Sequence, residues 1–233
     1  MTANARVTAS AVLLSIVSAV GSAHADVNAA TGNVTAPMRI CATYVSQVGA
    51  AILDVKTMER EVNEIWARYG VTVEGLAEPC KTPGDGPALK VRVRKMDNVR
   101  PTSIPRGTLG NIYFVAGKPT PLIDLWADEA VRVMSGSQVA FNQGVSDPRI
   151  RYEMGRLLGR SLAHELGHFL LESRVHTEEG LMRPSYAQRD GRSKRSGCFA
   201  LDAEQVEALT RTVTSWRVAK ATERKATLEP TGM

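Results

Sequence analysis

The chain has 233 residues, 43% hydrophobic and 23% charged, which excludes a wholly disordered protein and is enough for one domain with a buried core. A formal charge of +5 and an isoelectric point near 9.3 are too weak to point to nucleic acid. An aromatic content of 5% argues against a surface that stacks bases or sugars.

Residues 1–25 have the make-up of a secretory signal: one charge at Arg6, an apolar run over 9–20, and small residues at Ala23 and Ala25 around a cleavage point. The run is too short to span a bilayer, and no later segment is long enough, so no transmembrane segment is expected. The mature protein is expected to begin near Asp26, secreted or periplasmic. Removing the segment lowers the charge from +5 to +4 and takes away His24, one of four histidines. The others, His164, His168 and His176, lie close together. An oxidising compartment favours one disulfide among Cys41, Cys80 and Cys198. A Cys41–Cys80 bond would tie the first strand to the loop after the second; a pair including Cys198 remains open.

Residues 26–37 are small and polar, a flexible leader. A strand is expected over 39–48. Residues 54–69 carry Val55, Met58, Val62, Ile65 and Trp66 at helical spacing, and Gly70 supplies the stop. Residues 71–74 have strand chemistry, and 81–87 form a loop. Over 89–96, Leu89, Val91 and Val93 alternate with Lys90, Arg92 and Arg94, a strand whose basic row reads as a solvated sheet face. After a loop at 101–107, strands are expected at 112–116 and 122–126, while 127–134 is open between helix and strand. Ser146-Asp147-Pro148 is a capped helix start, and that helix should run to about 172. Asp202 and Gln205 have capping-box spacing, with Val206, Leu209 and Val213 continuing a helical stripe. Residues 221–233 look like a frayed, charged tail. The order of elements predicts a single α+β domain over 38–220: a small mixed sheet packed on the long helix, with a C-terminal helix.

Within the long helix stands His164-Glu165-Leu166-Gly167-His168. Residues four apart share a helix face, so both imidazoles can reach one metal ion. At roughly 100° per residue from His164, His168 lies near 40° and Glu165 near 100°, while Leu158, Leu162, Leu166 and Phe169 fall at about 120–200°. One side can therefore pack into a core while the other presents nitrogen ligands. Glu165 is placed to reach a water beside the metal without being a ligand. Zinc with three protein ligands makes such a water easier to deprotonate and stabilises an oxyanion, with Glu165 as general base.

The run HELGHFLLESRVHTEEGLMRP resembles the zincin metalloproteases, and most closely a metzincin-like group with a third histidine and a methionine turn beneath the metal. The resemblance implies a zincin-like domain with His164, His168 and His176 as zinc ligands, Glu165 as catalytic base and Met182 as the floor of the site. The usual spacing would put glycine at Leu171 and the third histidine at Arg174. A form two residues longer, similar to uncharacterised exported bacterial zincin-like proteins, has glycine where this chain has Glu172. A left-handed turn at Glu172 or Ser173 without glycine costs about 1 kcal/mol. Glu172, Glu178, Glu179 and Glu204 remain open as alternative third ligands, although Asp202 and Glu204 also suit a helix start. Tyr186 is a candidate oxyanion donor or an ordinary loop tyrosine. Arg183, Arg189, Arg192, Lys194 and Arg195 form a basic loop, read as a solvated face or as a rim for acidic substrate or the cell envelope. In zincins generally an edge strand binds extended substrate, and residues 122–126 are the candidate strand.

The functional expectation is an exported zinc metallopeptidase acting on a peptide or protein substrate. The alternatives are a non-catalytic envelope protein with a structural or vestigial zinc, and a metal-free domain binding peptidoglycan or protein.

Overall fold

A computed structural model of the chain describes residues 36–48, 52–96, 107–135, 147–184 and 196–228. The expected signal segment, nearly all of the leader and loop residues 101–106 lie outside them, as do Tyr186, Arg189, Arg192, Lys194 and Arg195.

In chain order the elements are β1 (Met38–Ser46), α1 (Val55–Trp66), β2 (Val71–Glu74), β3 (Leu89–Arg94), β4 (Gly110–Val115), β5 (Lys118–Trp126), α2 (Ala127–Ser135), α3 (Pro148–Leu170) and α4 (Ala203–Leu228). The strands form one mixed sheet in the order β2-β1-β3-β5-β4, parallel throughout except that β4 runs antiparallel to β5. The fold is α+β, as the sequence led us to expect.

Local chemistry explains most boundaries. Asp54 caps α1, accepting from the Thr57 amide at 3.0 Å. A short 3-10 turn, Ala67–Tyr69, follows α1 and ends at Gly70, whose φ of 67° is left-handed. Asp147 accepts from the Arg149 amide and puts Pro148 in the first turn of α3. At α4 the capping box closes reciprocally: the Gln205 amide donates to Asp202 Oδ1 at 2.8 Å, and the Asp202 amide to Gln205 Oε1 at 3.1 Å. The stripe of Val206, Val213 and Trp216 then packs on the core. Cys41 and Cys80 form the disulfide, and Cys198 is a free, exposed thiol.

The core lies between one face of the sheet and the pair α1 and α3. Ile40, Val73, Leu89, Val91, Ile123 and Leu125 project from the strands, and Met58, Val62, Leu158 and Leu162 from the helices. Each fully buried side chain of this size contributes about 1.5–3 kcal/mol. The helices touch closely because α3 has glycine where they cross. A Cβ on Gly159 would lie 2.8 Å from the Met58 carbonyl oxygen, and one on Gly155 would lie 2.6 Å from that of Asp54. Trp66 seals the contact by donating from Nε1 to the Ala163 carbonyl at 3.1 Å.

Three expectations change and one open segment is decided. Residues 122–126 belong to β5, which is paired on both sides; the edge strand is β4, because the β4–β5 hairpin folds outward from β3. The open segment 127–134 is helix α2. The basic row of β3 is not simply solvated: Arg92 stands beside Asp124 in register, and Nε reaches Oδ1 at 2.6 Å. Arg94 and the Tyr113 hydroxyl also donate to Asp124, which is fully buried beneath them. Finally, α4 continues past Lys220 to Leu228, so the charged residues expected to fray are helical that far.

Candidate metal centre

Helix α3 is buried from Met154 to Leu170, so other chain segments surround even its histidine face, which lines a cleft. Its C-terminus explains how. Glu172 has φ 48°, Ser173 donates its amide to the His168 carbonyl, and Glu172 donates its amide to the Phe169 carbonyl. This is a Schellman ending with glutamate at the position glycine usually fills. The strained residue gains a partner, since its carboxylate is ion-paired with Lys118 at the start of β5.

The chain reverses there and brings His176 back over the helix. Thr177 donates its amide to the Met182 carbonyl, and Leu181 donates to the Ala200 carbonyl at 2.9 Å. Gly180 is left-handed at φ 80°, and a Cβ there would lie 2.3 Å from that same oxygen. Leu181 and Met182 are fully buried beneath the histidines. Gly167, inside the five-residue motif, makes room for the methionine: a Cβ there would lie 2.3 Å from Met182 Sδ.

The three imidazoles converge through their Nε2 atoms. His168 Nε2 is 3.1 Å from His164 Nε2 and 3.2 Å from His176 Nε2. The rings of His164 and His176 are stacked, and His168 meets both edge-on. On the far side of two rings, Nδ1 is engaged: His164 with the Leu181 carbonyl at 2.8 Å, and His168 with the Ser173 carbonyl at 2.7 Å. A carbonyl only accepts, so each Nδ1 carries the proton and each neutral ring turns its Nε2 lone pair inward. Burial, with the neighbouring imidazoles adding to it, pushes His164 down to about 3; burial takes His168 down to about 4 and lowers His176 as well. The rings therefore resist protonation, and two inward lone pairs with a third imidazole at these distances form a set that could hold a metal ion. A tetrahedral zinc with bonds of about 2.05 Å separates its ligand nitrogens by roughly 3.3 Å, close to the spacing found. Among the described residues, the group of metal-binding type consists of His164, His168 and His176. Glu172, Glu178, Glu179 and Glu204 are not members.

No family model and no curated protein matches this chain. What the cluster can do must come from its own surroundings.

Glu165 sits beside the cluster, 7% exposed and facing β4. Burial pushes its carboxyl up to about 8, against the opposing pull of a hydrogen bond from the Ile112 amide. Gly110 permits this contact. A Cβ there would lie 2.6 Å from Ser161 Oγ and 2.8 Å from Glu165 Cγ. In the sequence, a glycine opening an apolar strand signals a close approach by another segment, but not which segment. Gly110, Ser161 and the carbonyls of Ser173 and Leu181 are the site residues that sequence reasoning missed.

A cleft of about 770 Å³ opens over the histidines and Glu165, bounded by β4, α3 and the loop carrying His176. Its wall includes Arg174, whose guanidinium lies 4.5 Å from the Phe114 ring centre, and Arg183, 5.9 Å from that of Phe199.

Proposed function

We propose that this protein is an exported zinc metallopeptidase of metzincin-like type, with His164, His168 and His176 as ligands and Glu165 as general base. One observation carries the reading: a three-imidazole cluster with inward lone pairs lies beside a buried carboxyl, under a cleft bounded by an edge strand.

When bound, zinc supplies Lewis acidity, easing deprotonation of a water near neutral pH and stabilising negative charge on a carbonyl oxygen. Glu165 takes the proton of the attacking water and returns it to the departing amine. Burial pushes the carboxyl up to about 8 in the metal-free protein, and a dication bound beside it would draw it back down toward neutrality, where it can both accept and release a proton. The Ile112 amide orients it, and the Ser173 and Leu181 carbonyls fix the tautomers of His168 and His164. An extended peptide is bound by strand addition along the outer edge of β4, beside Glu165.

The reading as a structural zinc site would need a fourth protein ligand. Glu172, one of the carboxylates the sequence offered, is instead paired with Lys118, which favours an open site.

The test is Glu165→Gln, assayed on casein and on a mixed peptide pool. Zinc content should match wild type, and chelator-sensitive cleavage should fall by about 100- to 10,000-fold. Undiminished cleavage by this variant would remove the mechanism.

A further inference from the structure

We infer that the cleft selects peptides carrying a carboxylate next to the scissile bond, read by Arg174 with Arg183. The inference rests on the peptidase reading for its ligand class and adds a substrate preference to it.

The two positions differ in how they are held. Arg174 is exposed at the mouth, with its guanidinium 4.5 Å from the centre of the Phe114 ring on edge strand β4. A peptide laid along β4 must pass beside it. Arg183 follows Met182 directly and lines the same cleft, its guanidinium 5.9 Å from the Phe199 ring centre. The Arg174 guanidinium, resting on the Phe114 face, has its planar fork already oriented and loses less freedom on meeting a carboxylate.

The rest of the wall contrasts with these two. Val133, Leu157 and Leu109 are apolar, and among the described lining residues the one carboxylate is Glu165, buried on the floor. The charge that an incoming peptide meets at the mouth is thus the exposed guanidinium of Arg174. An anionic group is drawn in and a lysine repelled. The pattern suits a substrate with an apolar side chain at one end of the cleft and a carboxylate at the other. That carboxylate can be an Asp or Glu side chain or the peptide's own C-terminus; both present the same two oxygens.

Four otherwise identical fluorescent peptides separate these cases: Glu, Gln and Lys versions with amidated ends, and the Gln version with a free C-terminus. Binding is read by anisotropy on zinc-loaded Glu165→Gln protein, and cleavage by mass spectrometry on wild type. At least one carboxylate-bearing peptide should bind roughly 10-fold tighter than amidated Gln, with the advantage shrinking in about 0.5 M salt. An advantage for Glu alone identifies a side-chain subsite, and one for the free end alone a terminal subsite. Arg174→Gln should remove most of the advantage and Arg174→Glu should turn it toward the Lys peptide; Arg183→Gln should weaken it further. Arg174 is exposed, so its variants keep the test usable if Arg183→Gln fails to fold. Equal affinities, no binding by any peptide, or a preference that survives Arg174→Gln overturns the inference. Selective binding without wild-type cleavage would instead remove the peptidase reading, and cleavage without selectivity would remove only this one.

Discussion

In the first half of α3, Arg156 and Arg160 are buried beside Glu61 of α1. Arg160 Nε reaches Glu61 Oε1 at 2.5 Å, Arg156 Nε reaches Oε2 at 3.4 Å, and Arg160 also lies over the Phe199 ring. One turn later the same helix buries His164, Glu165 and His168, but here like groups face one another and the carboxyl is met by the Ile112 amide. Arg156, Arg160, His164 and His168 follow at intervals of four, along a single ridge. Depth of burial does not distinguish the two halves; compensation does. The first half joins two helices through opposite charges, whereas the second gathers groups that could hold a cation.

Experiments can break this contrast, and the largest effect belongs to the paired half. Glu61→Gln removes the buried carboxylate that Arg156 and Arg160 share and should lower unfolding free energy by about 3–5 kcal/mol in denaturant titrations, while leaving the metal affinity of the folded protein unchanged. A matching loss of metal affinity would mean that the two halves are one unit.

Glu165→Gln should act in the opposite sense in metal-free protein. Between the ordinary carboxyl value of 4.5 and the folded value near 8, the folded chain holds a proton that the unfolded chain has released. Raising pH through that window therefore removes stability from wild type but not from the variant. The variant should be more stable by about 2–4 kcal/mol above pH 8, and the difference should close below 4.5. The histidines run the other way: between their depressed folded values and 6.5 the unfolded chain binds more protons, so acid destabilises both proteins. Unfolding curves from pH 4 to 9 measure both slopes.

Gly167→Ala meets Met182 Sδ and should cost about 1–3 kcal/mol and weaken metal binding through the displaced floor. Glu172→Gly should be nearly silent, within about 1 kcal/mol, because relief of the left-handed residue offsets the loss of an exposed ion pair with Lys118.

Features written locally in the chain were the legible ones. His164, Glu165 and His168 follow from helical spacing, Asp147-Pro148 and Asp202 from capping chemistry, and the Cys41–Cys80 bond was one of the pairings the sequence allowed. The return of His176 to the helix was foreseen from resemblance, and its physical basis is the turn at Glu172, whose left-handed conformation no glycine announces. What stayed hidden depends on segments far apart in sequence. That β4 rather than β5 forms the edge is decided by the hairpin's placement against β3. The contact of Gly110 with Glu165, and that of Asp124 with Arg92, each require a register that periodicity does not reveal. The charges of Arg156 and Arg160 read as exposed until α1 supplies Glu61.

The most direct test is metal content, measured by mass spectrometry of the purified protein and of His176→Ala after dialysis against a weak chelator. Wild type should retain one zinc per chain, and His176→Ala should bind it more than about 100-fold less tightly. Wild type that retains no zinc, or a His176→Ala variant that retains it fully, would contradict a three-histidine centre.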